Sequence, residues 1–466
     1  MRHTKFALAA MALAILAGCG GSSPEAGDQN IRVKFSSQVT FGDSLSDVGS
    51  YNVGTVANLK GGKFTINGDN TAINTTLTGR NWTELMAAQL GLPAPCAAMT
   101  GLEGNAAQGF SVPRTTHTGC YGYAQGGARV TNPVGAGNVR TGSALGALTV
   151  PVVTQVANHL AAVGGKFKGD EIVFVMAGGN DVLVQLATLS AAATAAGTTA
   201  GAAAGATAYL QSLVPQLAAG ATDPVSAAAA ITTAARTEAA RTGSTQTTIT
   251  QAAIGAAAIQ PGNSAVAAQA VYSPMVARAT AAATTAGNAA GAAAGAAYAT
   301  ANGPALVTAL GTAGTELAAL VKSQIIANGA NYVTVNNLPD VATTPSGRGQ
   351  SAETRTLINA MVSAFNTALA NGLANEPKVA IVDVFWVSND QSTNPGPYGL
   401  TNVSEPACDL TAPKNPLGTS LVCNGSNLKS GDISHYSFAD EVHPTPYNNL
   451  LLARYVSRTL VTKGWL

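Results

Sequence analysis

Ser44, Asp440 and His443 are the side-chain types that turn an alcohol into a nucleophile: an imidazole takes the serine proton and a carboxylate fixes the imidazole tautomer. Their settings suit those roles. Phe41-Gly42-Asp43-Ser44-Leu45-Ser46-Asp47 puts a serine straight after a β-branched and aromatic run, at a sheet edge where free backbone N–H groups can receive an oxyanion. The familiar Gly-x-Ser-x-Gly elbow is absent. Asp440-Glu441-Val442-His443-Pro444-Thr445 sets an acid and an imidazole three positions apart in a turn, so Asp440 can hold Nδ1–H while Nε2 faces a serine. Glu441, adjacent in that turn, is the weaker candidate for the orienting carboxylate. Two glycine-bearing segments can supply oxyanion donors: Tyr121-Gly122-Tyr123-Ala124-Gln125-Gly126-Gly127-Ala128-Arg129, and Ala177-Gly178-Gly179-Asn180-Asp181. Taken singly, each block is also an ordinary turn between strand and helix.

Together and in this order, Gly42-Asp43-Ser44-Leu45, the paired glycines ending in Gly127, Gly178-Gly179-Asn180-Asp181 and Asp440-x-x-His443 resemble the blocks of the SGNH, or GDSL, hydrolase family. Asn337-Leu338-Pro339-Asp340 and Tyr398-Gly399-Leu400-Thr401-Asn402-Val403 resemble segments of its secreted bacterial lipase, phospholipase and esterase branch. The similarity covers residues 36–186 and 304–466. It implies Ser44 as nucleophile, His443 as base and then acid, and Asp440 as orienter. It also implies an oxyanion hole of the Ser44 and Gly127 backbone N–H groups and the Asn180 amide. Many relatives carry Asn five residues before the second-block glycine, where this chain has Gly122; Gly126 therefore stays open beside Gly127. The implied activity is carboxylic ester hydrolysis, needing no metal or organic cofactor. An acyltransferase or polysaccharide O-deacetylase would use the same triad, and a non-catalytic surface lipoprotein is the alternative of another class.

These groups need a scaffold that brings the two ends of the chain together. Val39-Thr40-Phe41, Ile172–Met176, Tyr332–Val335 and Val379–Val387 read as strands, the second being the near-continuous apolar run that a parallel sheet buries on both faces. Helical spacing links Trp82, Leu85, Met86 and Leu90; Val152, Val156, Leu160 and Val163; Leu357, Met361, Phe365 and Leu369; and Leu452, Val456 and Leu460. The alternation predicts a three-layer α/β/α sandwich with a parallel central sheet, and the family resemblance implies the same fold. Residues 189–303 break the rhythm. They are Ala, Gly and Thr with few charges, and Ala191–Thr194 and Gly201–Gly205 recur ninety positions later as Ala281–Thr284 and Gly291–Gly295. The repeats predict the arms of a helical insertion divided at Pro215, Pro224, Pro261 and Pro274. Leaving the sheet beside Asn180, it is expected to serve as a lid or lipid-facing wall.

Of 466 residues, 46% are hydrophobic and only 10% charged, and 24 basic side chains against 23 acidic ones leave no basic patch for nucleic acid. Arg2, His3 and Lys5 precede the apolar run Phe6–Ala17, too short to span a bilayer but suited to an export signal. Leu16-Ala17-Gly18-Cys19 resembles a bacterial lipobox, which implies cleavage after residue 18 and acylation of Cys19. Residues 1–18 are then a signal peptide, 19–35 a flexible tether and 36–466 the interrupted hydrolase domain. The expected location is the outer membrane, facing the periplasm or cell surface, or else the secreted fraction. The expected partners are a small-molecule or lipid ester and, through the anchor, a membrane. The other four cysteines allow three pairings. The local one, Cys96–Cys120 with Cys408–Cys423, closes short loops, each bridge contributing roughly 3 kcal/mol. Scattered histidines and the lack of Cys-x-x-Cys argue against a metal site.

Overall fold

A computed structural model describes residues 33–466, so the expected export signal, Cys19 and most of the expected tether lie outside the described residues. Four strands, β1 (Gln38–Gly42), β2 (Ile172–Met176), β3 (Tyr332–Asn336) and β4 (Val379–Val382), pair in parallel in that order. Beyond β1 the irregular segment Tyr121–Gln125 also runs parallel. Thr40 N–H donates to Tyr121 O at 3.0 Å, and Tyr123 and Gln125 N–H donate to Thr40 O and Gly42 O at 2.8 and 3.1 Å. The chain thus goes to one side of β1 and then to the other. Such a reversal opens a crevice at the carboxyl end of β1, where open α/β sheets bind ligands.

Helices of eight residues or more are α1 (Trp82–Gln89), α2 (Val152–Ala162), α3 (Gly179–Ala218), α4 (Pro224–Ala239), α5 (Gln246–Ala258), α6 (Gln269–Leu320), α7 (Ala352–Gly372), α8 (Val384–Thr393) and α9 (Pro446–Lys463). Alternate strand residues face opposite layers. Val39, Phe41, Val173, Val175, Val333 and Val335 pack against α2, α7 and the last turns of α6. Ile172, Phe174, Met176, Ala380 and Val382 pack against α1, α8 and α9. The three-layer α/β fold with a buried parallel sheet is therefore present. Asn81 begins α1 with a capping box to Glu84; Thr445 with Pro446 begins α9, and Gly464 ends it. Both local disulfides form, Cys96–Cys120 and Cys408–Cys423.

Two sequence expectations need correction. The apolar run from Val379 is a strand only to Val382. Asp383 accepts from the Trp386 N–H at 3.1 Å and starts α8, so Val384–Val387 is helical. The prolines divide the Ala-rich block only in part. Pro224 opens α4 and Pro261 stands in the turn between α5 and α6, but Pro215 lies in the last turn of α3 and Pro274 lies inside α6, as does Pro304 just past the block. An internal proline costs about 3 kcal/mol of helix stability, which the packing of these long helices offsets.

The arm formed by α3 and α6 is an antiparallel pair of 40 and 52 residues, roughly 60 and 78 Å long. Its midsection is zipped by glycine at every fourth position. A Cβ added at Gly201 would lie 2.8 Å from Gly287 O, and one at Gly291 3.0 Å from Gly197 O, so the two backbones touch directly. At the far end Tyr209, Leu213, Leu217, Ile231 and Val266 form a separate small core with α4 and α5. By length and composition both arm helices could cross a membrane. Both are nevertheless continuous with turns in the body's core, at Val182 and at Leu310–Leu320.

Candidate active site

Ser44 sits two residues past β1, on backbone that is held rigidly. Gly42 has φ 153°, and a Cβ there would collide with the Met176 carbonyl. Gln155 grips both backbone groups of Gly42, accepting from its N–H and donating to its carbonyl at 2.8 Å each. Asp43 N–H donates to Met176 O at 3.2 Å. The chain is thereby bent off the sheet so that the serine side chain clears the edge.

His443 approaches from the other end of the sequence. Its Nε2 lies 2.9 Å from Ser44 Oγ, and its Nδ1 lies 2.9 and 2.8 Å from the two Asp440 oxygens. A carboxylate on Nδ1 keeps the proton there and leaves Nε2 as the acceptor toward Ser44. Asp440 accepts in addition from the backbone N–H of Ser420 (2.7 Å), His443 (2.8 Å) and Val442 (2.9 Å), and from Thr419 Oγ1 (3.2 Å). Burial alone would raise its pKa, but the His443 imidazole and these donors outweigh burial and hold the carboxyl well below the usual carboxylate range. Ser420 belongs to the loop closed by Cys408–Cys423, so that bridge helps deliver a donor to the acid. Phe64 packs on the imidazole with ring centroids 4.8 Å apart, and Thr65 Oγ1 donates to Pro444 O at 2.9 Å. Glu441 is exposed.

The glycine segments converge on the same place. Gly126 N–H is committed to Asp47 Oδ2 at 2.9 Å, whereas the N–H groups of Ser44 and Gly127 have no acceptor among the described residues. Gly127 has φ 81°, which a side chain would strain. Asn180, the second residue of α3, donates from Nδ2 to Ala128 O at 3.0 Å and so lies beside the Gly127 peptide. The Gly126–Val130 strip is fixed at both ends by buried acids. Asp47 also binds Ser50 Oγ at 2.6 Å, while Asp181 binds Arg129 Nε at 2.8 Å and Val130 N–H at 3.1 Å. Asp43, fully buried, is pushed up to about 7 by desolvation, against the pull of Leu45 N–H and His443.

Ser44, His443, Asp440, Gly127 and Asn180 are thus brought to one crevice, at the reversal of strand order. Phe64, Asp47, Gln155 and Ser420 complete it without having been assigned a role from sequence. Asp47 stands in the quoted serine block and could have been noticed; nothing in the sequence marks the others.

The family model for GDSL-like lipases and acylhydrolases matches residues 39–285, just over half of the chain. The chain belongs to the GDSL-like lipase/acylhydrolase family. Its general activity is accordingly that of an ester hydrolase acting on small-molecule esters. The matched span carries Ser44, Gly127 and Asn180 and ends within the arm; Asp440 and His443 lie beyond it. No curated protein matches the chain.

Proposed function

We propose that this family member is a serine carboxylester hydrolase working through an acyl-enzyme, exported and anchored through a lipidated Cys19. The observation that carries the reading is the hydrogen bond from Ser44 Oγ to His443 Nε2, 2.9 Å long across 399 positions of sequence. Ser44 Oγ attacks the ester carbonyl carbon as its proton passes to Nε2. The carbonyl oxygen becomes an oxyanion received by the N–H groups of Ser44 and Gly127 and by the Asn180 amide. The C–O bond to the alcohol then breaks, His443 returns the proton to that oxygen, and an acyl-Ser44 ester remains. Water repeats the sequence with His443 as base, releasing the acid and restoring the serine. Asp440 stays ionised throughout, stabilising the imidazolium.

The test is turnover of p-nitrophenyl acetate, octanoate and palmitate by wild type and Ser44→Ala. Wild type should hydrolyse at least one ester and Ser44→Ala none above background. Equal rates would remove the assignment. Adding alcohols or glycans to the same assay separates hydrolysis from acyl transfer by product. The export reading predicts a Cys19-acylated mature chain, visible by mass spectrometry of the membrane fraction.

A further inference from the structure

One large cavity does not count Ser44 among its lining residues, but its inner end includes Leu183, on the helix that presents Asn180. It is a trough of 1570 Å³ between the arm and the start of α7. Leu183, Leu186, Val307, Val341, Leu357 and Ile358 wall its inner end. Leu183 lies one helical turn past Asn180. The Val341–Ser346 segment joins the histidine turn, where Ser346 N–H donates to Glu441 O at 3.0 Å. From there the trough follows the α3–α6 seam outward to Ala202 and Ala283. Glycines 197, 201, 287, 291 and 295 form the floor, so no side chain blocks the seam.

From this geometry we infer that the trough binds one extended alkyl chain, making the arm a ruler for acyl-chain length; the inference rests on Ser44 being the nucleophile. Three features choose that occupant. Leu183 to Ala202 spans about 28 Å of helix, whereas a sixteen-carbon chain extends roughly 20 Å at the per-bond reach of a zig-zag backbone. Among the lining residues only Glu353 carries a charge, so a charged ligand would find few partners. The half-buried Leu and Val side chains at the inner end favour methylene groups over water. Thr194 and Thr198 on the trough edge donate to or occupy positions near their own helix carbonyls, Thr194 Oγ1 to Ser190 O and Thr198 Oγ1 to Thr194 O at 2.8 and 2.9 Å, which masks their hydroxyls.

Ala187, Thr194 and Ala202 line the trough at increasing distance from Asn180 and are all exposed, so a tryptophan fits at each without repacking. Ala187→Trp should lower kcat/KM for palmitate and octanoate by roughly tenfold or more, Thr194→Trp for palmitate mainly, and Ala202→Trp least. Acetate should stay within about twofold of wild type in all three. A second arm replaces the soluble esters by phosphatidylcholine vesicles; the same gradation in fatty-acid release makes bilayer lipid an acyl donor, and its restriction to soluble esters makes those the donors. Binding of a fluorescent sixteen-carbon fatty acid to the Ser44→Ala protein gives a readout without turnover. It should be retained there and lost when Ala187→Trp is added. A palmitate-to-acetate ratio unchanged in all three variants, with probe binding unchanged, would overturn the ruler while leaving Ser44-dependent hydrolysis intact. Probe binding blocked by Ala187→Trp in a protein that hydrolyses no ester would uphold the trough and remove the catalytic assignment instead.

Discussion

The body and the arm are packed in opposite ways. In the body, Trp82, Phe41, Phe174 and Phe365 are fully buried between layers, and side chains hold the helices off the sheet. In the arm, Gly201 and Gly287 bring two backbones into contact, and no charged residue occurs between Val182 and Thr222 or between Ala279 and Thr315. The body can bury Asp43, Asp47, Asp181 and Asp440 because each is supplied with donors, and those acids fix the catalytic loops. The arm has no such polar scaffolding and presents a smooth, uncharged seam. Chemistry belongs to the first kind of packing, and selection of a long apolar chain suits the second.

Changes in the body should therefore remove activity, and changes in the arm should alter stability or preference. The largest effect is expected for His443→Ala, with kcat reduced by about 10⁴–10⁶ and the melting temperature little changed. A loss below tenfold would break the division. Asn180→Ala removes one oxyanion donor and should cost about 10²–10³ in kcat with KM nearly constant, measured on a saturating short ester. An equivalent rise in KM instead would make Asn180 a general binding residue.

Asp43 tests the body's burial of charge through pH. In the unfolded chain it ionises near its ordinary 3.8, but in the fold it keeps its proton to about 7. Folding stability therefore falls as pH rises from about 4 to 7, by on the order of 4 kcal/mol from this group. Asp43→Asn should gain stability relative to wild type at pH 8 but not at pH 4, read from urea unfolding. An equal difference at both pH values would contradict the buried-acid account.

The smallest effect is expected in the arm. Gly291→Leu must push the zipped backbones apart and should cost about 1–3 kcal/mol, with acetate turnover retained. Ala289→Leu, on the exposed face two residues away, should stay within about 0.5 kcal/mol. Equal effects at the two sites would mean that the glycine contact does not support the arm.

The strands and most helices of the body were legible because each carries its own period: Ile172–Met176 reads as a buried strand without reference to anything else. Ser44, Asp440 and His443 were legible because each stands in a compact local motif. The end of β4 was not, since Val379–Val387 is uniformly apolar and only the Asp383 cap turns it into a helix. Phe64, Gln155 and Ser420 were not, because their roles exist only through partners 113 to 379 positions away or, for Ser420, across a disulfide-closed loop. The glycine repeats were visible as a pattern, while the direct backbone contact they permit required the antiparallel pairing of two helices ninety residues apart.

Labelling with a fluorophosphonate, followed by peptide mapping, tests the central pairing most directly. The account predicts a single adduct on Ser44 whose rate of formation collapses in His443→Ala. Modification of another serine, or a Ser44 adduct that forms equally fast without the imidazole, would contradict it.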